Sequence, residues 1–303
     1  MRTAPGVGSE EARAWRPAEI EEPTNRWFIH RLSWVVARWC ARWGVHPNTV
    51  SLLGLACGIG AAVAYGSGNN GWTCAVGFLC MVLWHVFDGA DGQLARLTGK
   101  ASEWGKVMDG LCDHGTFLSI YAALVFSLAP SLGIGVVLLG VLAGLSHFVQ
   151  ATAYERQRQL YEYVVLGKPT VQAQVERVPV VFRGLYRLYL AVQQSLSGER
   201  QVLLAVSSGG SFPEGLRHGY RQLFRPLVHA WSALSSNYRT LALFGACCLE
   251  APELFFWWEL IGLNGVLVGL VFWTRCRQQQ WLRFTQAAEL PTSFAVRKCV
   301  PLE

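Results

Sequence analysis

Four aspartates stand in two short clusters whose spacing follows the α-helical repeat. Asp88 and Asp91 are three residues apart, and Asp109 and Asp113 are four residues apart. Positions three or four residues apart lie on the same face of a helix. The same two faces also carry three small residues and one arginine: Gly92, Ala95, Arg96 and Gly105. Only a short loop, residues 97–104, separates the two helices, so we expect all four carboxylates to meet.

Carboxylates brought together in this way repel one another and need a cationic partner. Mg²⁺ and Mn²⁺ prefer carboxylate oxygens and also bind phosphate oxygens, and two such ions would supply four positive charges. Arg96 offers a planar set of donors to a phosphate, and the small side chains at positions 92, 95 and 105 let a nucleotide approach the backbone. The pattern predicts a divalent-metal site for chemistry on a pyrophosphate.

The composition of the remaining chain indicates that lipid surrounds these helices. Hydrophobic residues make up 52% of the 303 residues and charged residues 15%, against about 25% charged residues in an average soluble domain. Lys and Arg are absent from three long stretches, residues 43–95, 107–155 and 240–274. Each stretch accommodates two helices of about 20 residues. We therefore predict an all-α membrane protein with six transmembrane helices, at residues 49–66, 72–96, 105–128, 132–154, 235–250 and 253–274.

This arrangement places every Lys and Arg on one side of the membrane, which the positive-inside rule identifies as the cytoplasmic side. Both termini and the aspartates would then be cytoplasmic. The alternative is a soluble protein, which would have to bury three long apolar hairpins without basic residues. The composition favours the membrane protein.

The segments outside the spans are predicted from their patterns. Residues 1–25 are polar and form a mobile cytoplasmic tail, and residues 26–48 alternate aromatic residues with arginines, as interfacial amphipathic helices do. Residues 49–276 form the catalytic domain, and residues 277–303 form a C-terminal cytoplasmic tail. Within this domain, residues 155–234 form a cytoplasmic insertion, for which we expect amphipathic helices lying on the membrane surface.

Other polar residues near the predicted site allow more than one interpretation. His85 lies three residues before Asp88 and either supports a metal-binding carboxylate or makes a structural polar contact. Glu259 is placed near the opposite membrane boundary, where a structural or surface role is favoured. Five basic residues are placed at the catalytic face, where they clamp an anionic acceptor or contact lipid phosphates: Lys100, Lys106, Arg156, Arg158 and Arg239.

The complete motif D-x2-D-G-x2-A-R-x8-G-x3-D-x3-D is present from Asp88 to Asp113. In this motif the chain resembles the CDP-alcohol phosphotransferases. The Pro-Asn element of that family is similar to Pro47 and Asn48, which open the first predicted span, and six spans also agree. The resemblance implies that the metal ligands are Asp88, Asp91, Asp109 and Asp113, with Asp113 also the general base. It further implies that the CDP part of the donor contacts Gly92, Ala95, Arg96, Gly105 and Asn48.

Two assignments of the substrates remain open at this point. In the first, CDP-diacylglycerol is the donor, a small alcohol is the acceptor, and the products are a phospholipid and CMP. In the second, a soluble CDP-linked head group is transferred to a lipid alcohol. A cation transporter that uses the aspartates is the alternative from another class. The family resemblance also implies a homodimer, and we expect no nucleic-acid partner.

Overall fold

The computed structural model describes residues 19–68, 70–168, 183–198, 202 and 214–289, and every regular element in this part of the chain is helical. A π-helical turn, Asn25–Ile29, precedes α1. The helices are α1 (His30–Arg42), α2 (Pro47–Gly66), α3 (Gly71–Leu97), α4 (Glu103–Leu132), α5 (Gly135–Leu166), α6 (Arg183–Ser197), α7 (Glu214–Trp231), α8 (Ser236–Cys248), α9 (Glu253–Trp257) and α10 (Leu263–Glu289). A second π-helical turn, Trp258–Gly262, joins α9 to α10.

The helices that carry the motif begin at capping side chains. Asn70 Oδ1 accepts a hydrogen bond of 2.9 Å from the Thr73 N–H at the start of α3. Ser102 Oγ accepts one of 3.0 Å from the Gly105 N–H at the start of α4. The first N–H groups of a helix have no partner inside it, so such side chains define where a helix begins. The motif residues are therefore held in regular helix on both sides of the loop.

Five helical segments among the described residues are long and apolar enough to cross a membrane. They are Pro47–Gly66, Gly71–Leu97, Trp104–Leu132, Gly135–Leu166 and Glu253–Phe284, and they mark the chain as an integral membrane protein. The predicted span at residues 235–250 corresponds to α8, which has 13 residues. At 1.5 Å per residue it is about 20 Å long, whereas the hydrocarbon layer is about 30 Å thick. The predicted count of six spans is thus not confirmed.

The described part of the chain divides into two compact units, and the first comprises the described residues within 1–148 and 234–264. Its buried core includes Tyr65, Met81, Ile120 and Phe256. Helices α2 and α4 approach closely at Gly58. The side chain of Thr116 on α4 occupies the space that a Cβ atom at position 58 would need. Close approach of this kind is the reason for small residues between membrane helices.

The second unit comprises the described residues within 149–233 and 265–289. Helix α7 buries the apolar side chains of Tyr220, Phe224, Leu227, Val228 and Trp231. The Tyr220 ring packs edge-on against Trp281 at 5.4 Å, and Trp231 Nε1 donates a hydrogen bond of 3.1 Å to Thr274 Oγ1. The prediction that the insertion helices lie on the membrane surface is wrong for α7, because protein covers its apolar face.

Both predicted tails differ from the structure where it describes them. Ile20, Glu21 and Glu22 are buried, and Glu22 Oε2 accepts hydrogen bonds from Ser235 Oγ at 3.0 Å and Asn237 Nδ2 at 2.7 Å. The predicted mobility is therefore wrong for residues 20–22, while residues 1–18 lie outside the described part. Helix α10 continues through residue 276, where the C-terminal tail was predicted to begin. Residues 290–303 lie outside the described part of the chain.

Candidate metal and nucleotide site

The structure brings three of the four aspartates together between α3 and α4. Each of Asp88, Asp109 and Asp113 offers a carboxylate oxygen, and these oxygens lie within 4.8 Å of one another. All three side chains are half-buried. The fourth, Asp91, makes a side-chain contact with Asp109 and interacts electrostatically with Asp88. Four carboxylates thus share one small region of the bundle.

The arrangement fits a divalent metal ion by the chemistry of its donors. Two oxygens that bind one Mg²⁺ ion at about 2.1 Å are at most about 4.2 Å apart, and a spacing within 4.8 Å is close to that limit. Repulsion between partly desolvated carboxylates is costly unless a cation offsets it. Asp88, Asp109 and Asp113 would hold such an ion, with Asp91 beside them.

Asp91 is the most buried of the four, with 4% of its surface exposed. Its Oδ2 accepts a short hydrogen bond from the hydroxyl of Ser51 on α2, and its carboxylate also interacts with the backbone N–H of Gly92. A carboxylate with both contacts has a restricted orientation. Ser51 was not predicted as a site residue, although it lies one helical turn after Pro47 in the Pro-Asn element. The position of this hydroxyl, one turn after Pro47, was the sequence feature from which a contact with the site could have been predicted.

The predicted nucleotide-binding residues surround the aspartates from three helices. Arg96 is partly buried and lies close enough to Asp91 to interact with its charge. A Cβ atom added at Gly105 would lie 3.6 Å from Asn48 Oδ1, so the Pro-Asn element of α2 adjoins the start of α4. Ala95 is half-buried on α3. The structure therefore places Asn48 next to Gly105. It also places Arg96 near Asp91.

The model of the CDP-alcohol phosphatidyltransferase family matches residues 44–198, which is just over half of the chain. The chain belongs to this family. The matched stretch contains the Pro-Asn element, all four aspartates and the helices α2 to α4 that hold them. It ends after α6, so α7 to α10 lie outside the match.

Two curated relatives in this family are both named phosphatidylinositol phosphate synthase. The protein from Streptomyces avermitilis is 38% identical over 90 residues, which are 29% of this chain and 35% of the relative. The protein from Mycobacteroides abscessus is 33% identical over 86 residues, which are 28% of this chain and 37% of the relative. The match therefore spans about a third of the length of each relative.

Two polar residues outside the family motif, His85 and Arg239, make structural contacts within the bundle. His85 Nε2 lies 3.0 Å from Thr240 Oγ1 of α8, so its observed role is a structural polar contact in the bundle. The predicted position of Arg239 at the catalytic face is wrong. Its guanidinium is fully buried, and its Nε lies 3.0 Å from Glu259 Oε1.

The other four basic residues predicted at the catalytic face fall into two groups. Lys100 is exposed in the loop between α3 and α4, and Lys106 is exposed in the first turn of α4. Arg158, in the second unit, forms ion pairs with Glu155 and with Glu162, the latter at 2.9 Å. Arg156, also in the second unit, is almost fully buried. Of these four basic residues, only Lys100 and Lys106 are exposed.

Proposed function

We propose that this protein is a metal-dependent CDP-alcohol phosphotransferase of phospholipid synthesis. It transfers a phosphatidyl group from CDP-diacylglycerol to a small alcohol and releases CMP. The observation that carries this proposal is the convergence of Asp88, Asp109 and Asp113, with Asp91 in contact, inside a membrane bundle. Membership of the CDP-alcohol phosphatidyltransferase family supports the same reaction class.

The proposed roles follow from the chemistry of each side chain. Asp88, Asp91, Asp109 and Asp113 would hold two divalent ions, Mg²⁺ or Mn²⁺. Bound divalent metal would withdraw negative charge from the pyrophosphate and so stabilise the leaving CMP. The CDP part is bound by residues around the carboxylates: Asn48, Gly92, Ala95, Arg96 and Gly105.

Asp113 is the proposed general base. Its carboxylate accepts the proton of the acceptor hydroxyl while that oxygen attacks the phosphorus atom distal to cytidine. The new P–O bond joins the acceptor to the phosphatidyl group, and the bond from this phosphorus to the bridging oxygen breaks. CMP leaves with that oxygen.

The membrane topology forms part of the proposal. Helix α8 would complete a sixth membrane-inserted element, α1 would lie at the membrane surface, and both termini and the aspartates would face the cytoplasm. CDP-diacylglycerol would then enter from the bilayer and the soluble alcohol from the cytoplasm. A homodimer follows only from the family resemblance.

The names of the two relatives suggest the first acceptor to test. Both are phosphatidylinositol phosphate synthases, so we propose a phosphorylated cyclitol, inositol phosphate, ahead of inositol, serine and glycerol phosphate. Exposed Lys100 and Lys106 beside the motif helices are consistent with an anionic acceptor.

CMP release by the purified protein in lipid nanodiscs tests the function. CDP-diacylglycerol is supplied with each candidate alcohol, in Mg²⁺, in Mn²⁺ and in excess EDTA. We expect CMP and a new phospholipid only when metal and the correct alcohol are both present. Release from a soluble CDP-alcohol with a lipid acceptor would reverse the donor assignment. Metal-driven cation flux in proteoliposomes without CMP would instead favour a transporter.

A further inference from the structure

Helix α1 contacts α3 directly behind the first two aspartates. The Ser33 side chain is fully buried, and its Oγ donates a hydrogen bond of 2.8 Å to the carbonyl oxygen of Val86. A Cβ atom added at Gly89 would lie 2.6 Å from Ser33 Oγ and 3.2 Å from Ser33 Cβ. Gly89 follows Asp88 and is not a required position of the family motif. Its lack of a side chain allows α1 to pack this closely.

A second polar contact between the same helices lies one turn further along α3. Gln93 is fully buried, and its Nε2 lies 3.4 Å from both Nδ1 and the carbonyl oxygen of His30. His30 Nε2 in turn lies 3.3 Å from Glu21 Oε1. Gln93 points away from the carboxylates because it is two residues, or about 200°, around the helix from Asp91. These contacts therefore fix the side of α3 that faces away from Asp88 and Asp91.

Apolar packing completes the interface beside the two polar contacts. Ala37 and Cys40 of α1 pack with Ala90 and Leu94 of α3 in one buried cluster. Burial raises the pKa of the Cys40 thiol above its ordinary value, so this side chain stays neutral and packs as a small apolar group. The contact surface of α3 thus runs from Val86 to Leu94, along the segment that bears Asp88 and Asp91.

We propose that α1 is a positioning element for the metal site. The contact of Ser33 with Gly89 and the contact of His30 with Gln93 set the rotation and the axial position of α3. Asp88 and Asp91 are attached to the opposite side of that segment, so a displacement of α3 moves both carboxylates relative to Asp109 and Asp113. This inference rests on the proposed function for its metal, but the interface uses none of the fixed positions of the motif.

The test compares two glycines that each follow a metal-site aspartate by one residue. Gly89→Ala places a methyl group against Ser33, whereas a Cβ atom at Gly110, after Asp109, has no atom within 4 Å. Mn²⁺ binding to the substrate-free protein is measured by electron paramagnetic resonance, and the thermal midpoint is recorded for every variant. Residues that orient metal ligands typically change metal affinity by about 10- to 100-fold.

We expect Gly89→Ala to weaken Mn²⁺ binding by about tenfold or more, and Gly110→Ala to bind Mn²⁺ like the wild type. Removing the Ser33 hydroxyl in the double variant Gly89→Ala/Ser33→Ala should restore the affinity to within about threefold of Ser33→Ala alone. Wild-type Mn²⁺ affinity in folded Gly89→Ala would overturn the proposal. Weak binding in Gly89→Ala that Ser33→Ala does not improve would overturn it equally.

Gln93→Leu keeps the proposal testable if Gly89→Ala does not fold. This variant keeps the volume and removes the amide, and we expect several-fold weaker Mn²⁺ binding with a thermal midpoint near that of the wild type. Unchanged Mn²⁺ affinity in Gln93→Leu would count against positioning by α1. The proposed enzyme activity has a separate test. The absence of CMP release by the wild-type protein would contradict the proposed function, whereas the Mn²⁺ affinities of the variants test only the role of α1.

Discussion

Arg239 and Glu259 form a fully buried ion pair within the bundle. Both side chains have 0% exposure, and Arg239 Nε lies 3.0 Å from Glu259 Oε1. The guanidinium also donates a hydrogen bond to the carbonyl oxygen of Leu234, and Tyr121 of α4 contacts Glu259. Glu259 lies in the π-helical turn Trp258–Gly262. The pair therefore joins the short helix α8 to the π-helical turn that precedes α10.

Breaking this pair should destabilise the protein more than removing it. Arg239→Met leaves the Glu259 carboxylate without its cation, which typically costs about 3–5 kcal/mol. Arg239→Met/Glu259→Leu removes both charges and should recover most of that loss. Unfolding in detergent measures the effect, with Arg42→Met at the exposed end of α1 as the control. Equal stability of the single and double variants would contradict the prediction.

Asp113→Asn should abolish CMP release while the protein still inserts and folds. The substitution nearly preserves volume, but the amide cannot accept the acceptor's proton, so we expect a loss of about 10²- to 10⁴-fold. Turnover is measured at saturating metal, alongside the thermal midpoint. Glu250→Gln changes an exposed carboxylate outside the site and serves as the control. Substantial turnover in Asp113→Asn would remove this residue from the mechanism.

Ser51→Ala should raise the metal concentration needed for half-maximal CMP release. The Ser51 hydroxyl donates to Asp91 Oδ2, and a hydrogen bond to a charged group contributes about 1.5–3 kcal/mol. We expect about a tenfold increase, with little change in the maximal rate once metal saturates. Ser119→Ala is the matched control, because that hydroxyl donates only to the Gly115 carbonyl of its own helix, at 2.7 Å. The same metal response in both variants would show that Ser51 does not orient Asp91.

Gly58→Ala should weaken the packing of α2 against α4. The added methyl group would overlap the Thr116 side chain, and overpacking of this kind costs about 1–3 kcal/mol. Gly60→Ala is the control on the same helix, since its nearest atom would be Cys80 Sγ at an ordinary 3.5 Å. Thermal unfolding in detergent should separate the two variants, and the additional change Thr116→Ala should restore part of the loss in Gly58→Ala. A stable Gly58→Ala variant would show that α2 and α4 separate at little cost.

The convergence of the aspartates was accessible from the sequence because it depends on local geometry. Helical periodicity assigns Asp88 and Asp91 to one face and Asp109 and Asp113 to another, and a short loop leaves the two faces few ways to meet. The contact of Asp91 with Ser51 was less accessible, because it joins two residues that are 40 positions apart in the sequence and lie on different helices. The motif indicates which carboxylates matter, and tertiary packing supplies the group that orients one of them.

The insertion shows a different limit. The sequence of α7 predicts an amphipathic helix correctly, since Tyr220, Phe224 and Trp231 repeat at helical spacing. The same periodicity suits an apolar face covered by lipid and one covered by protein. Only the contacts with Trp281 and Thr274 decide that protein covers it.

The sequence by itself determined the helical class, the membrane environment and the grouping of four carboxylates, because each follows from composition or from periodicity within one or two neighbouring helices. Tertiary structure alone decided the partners of buried polar groups: Glu259 for Arg239, Ser51 for Asp91, and Ser235 and Asn237 for Glu22. A buried charge must find its partner wherever packing provides one. Sequence distance and hydrophobic pattern carry no direct record of that choice.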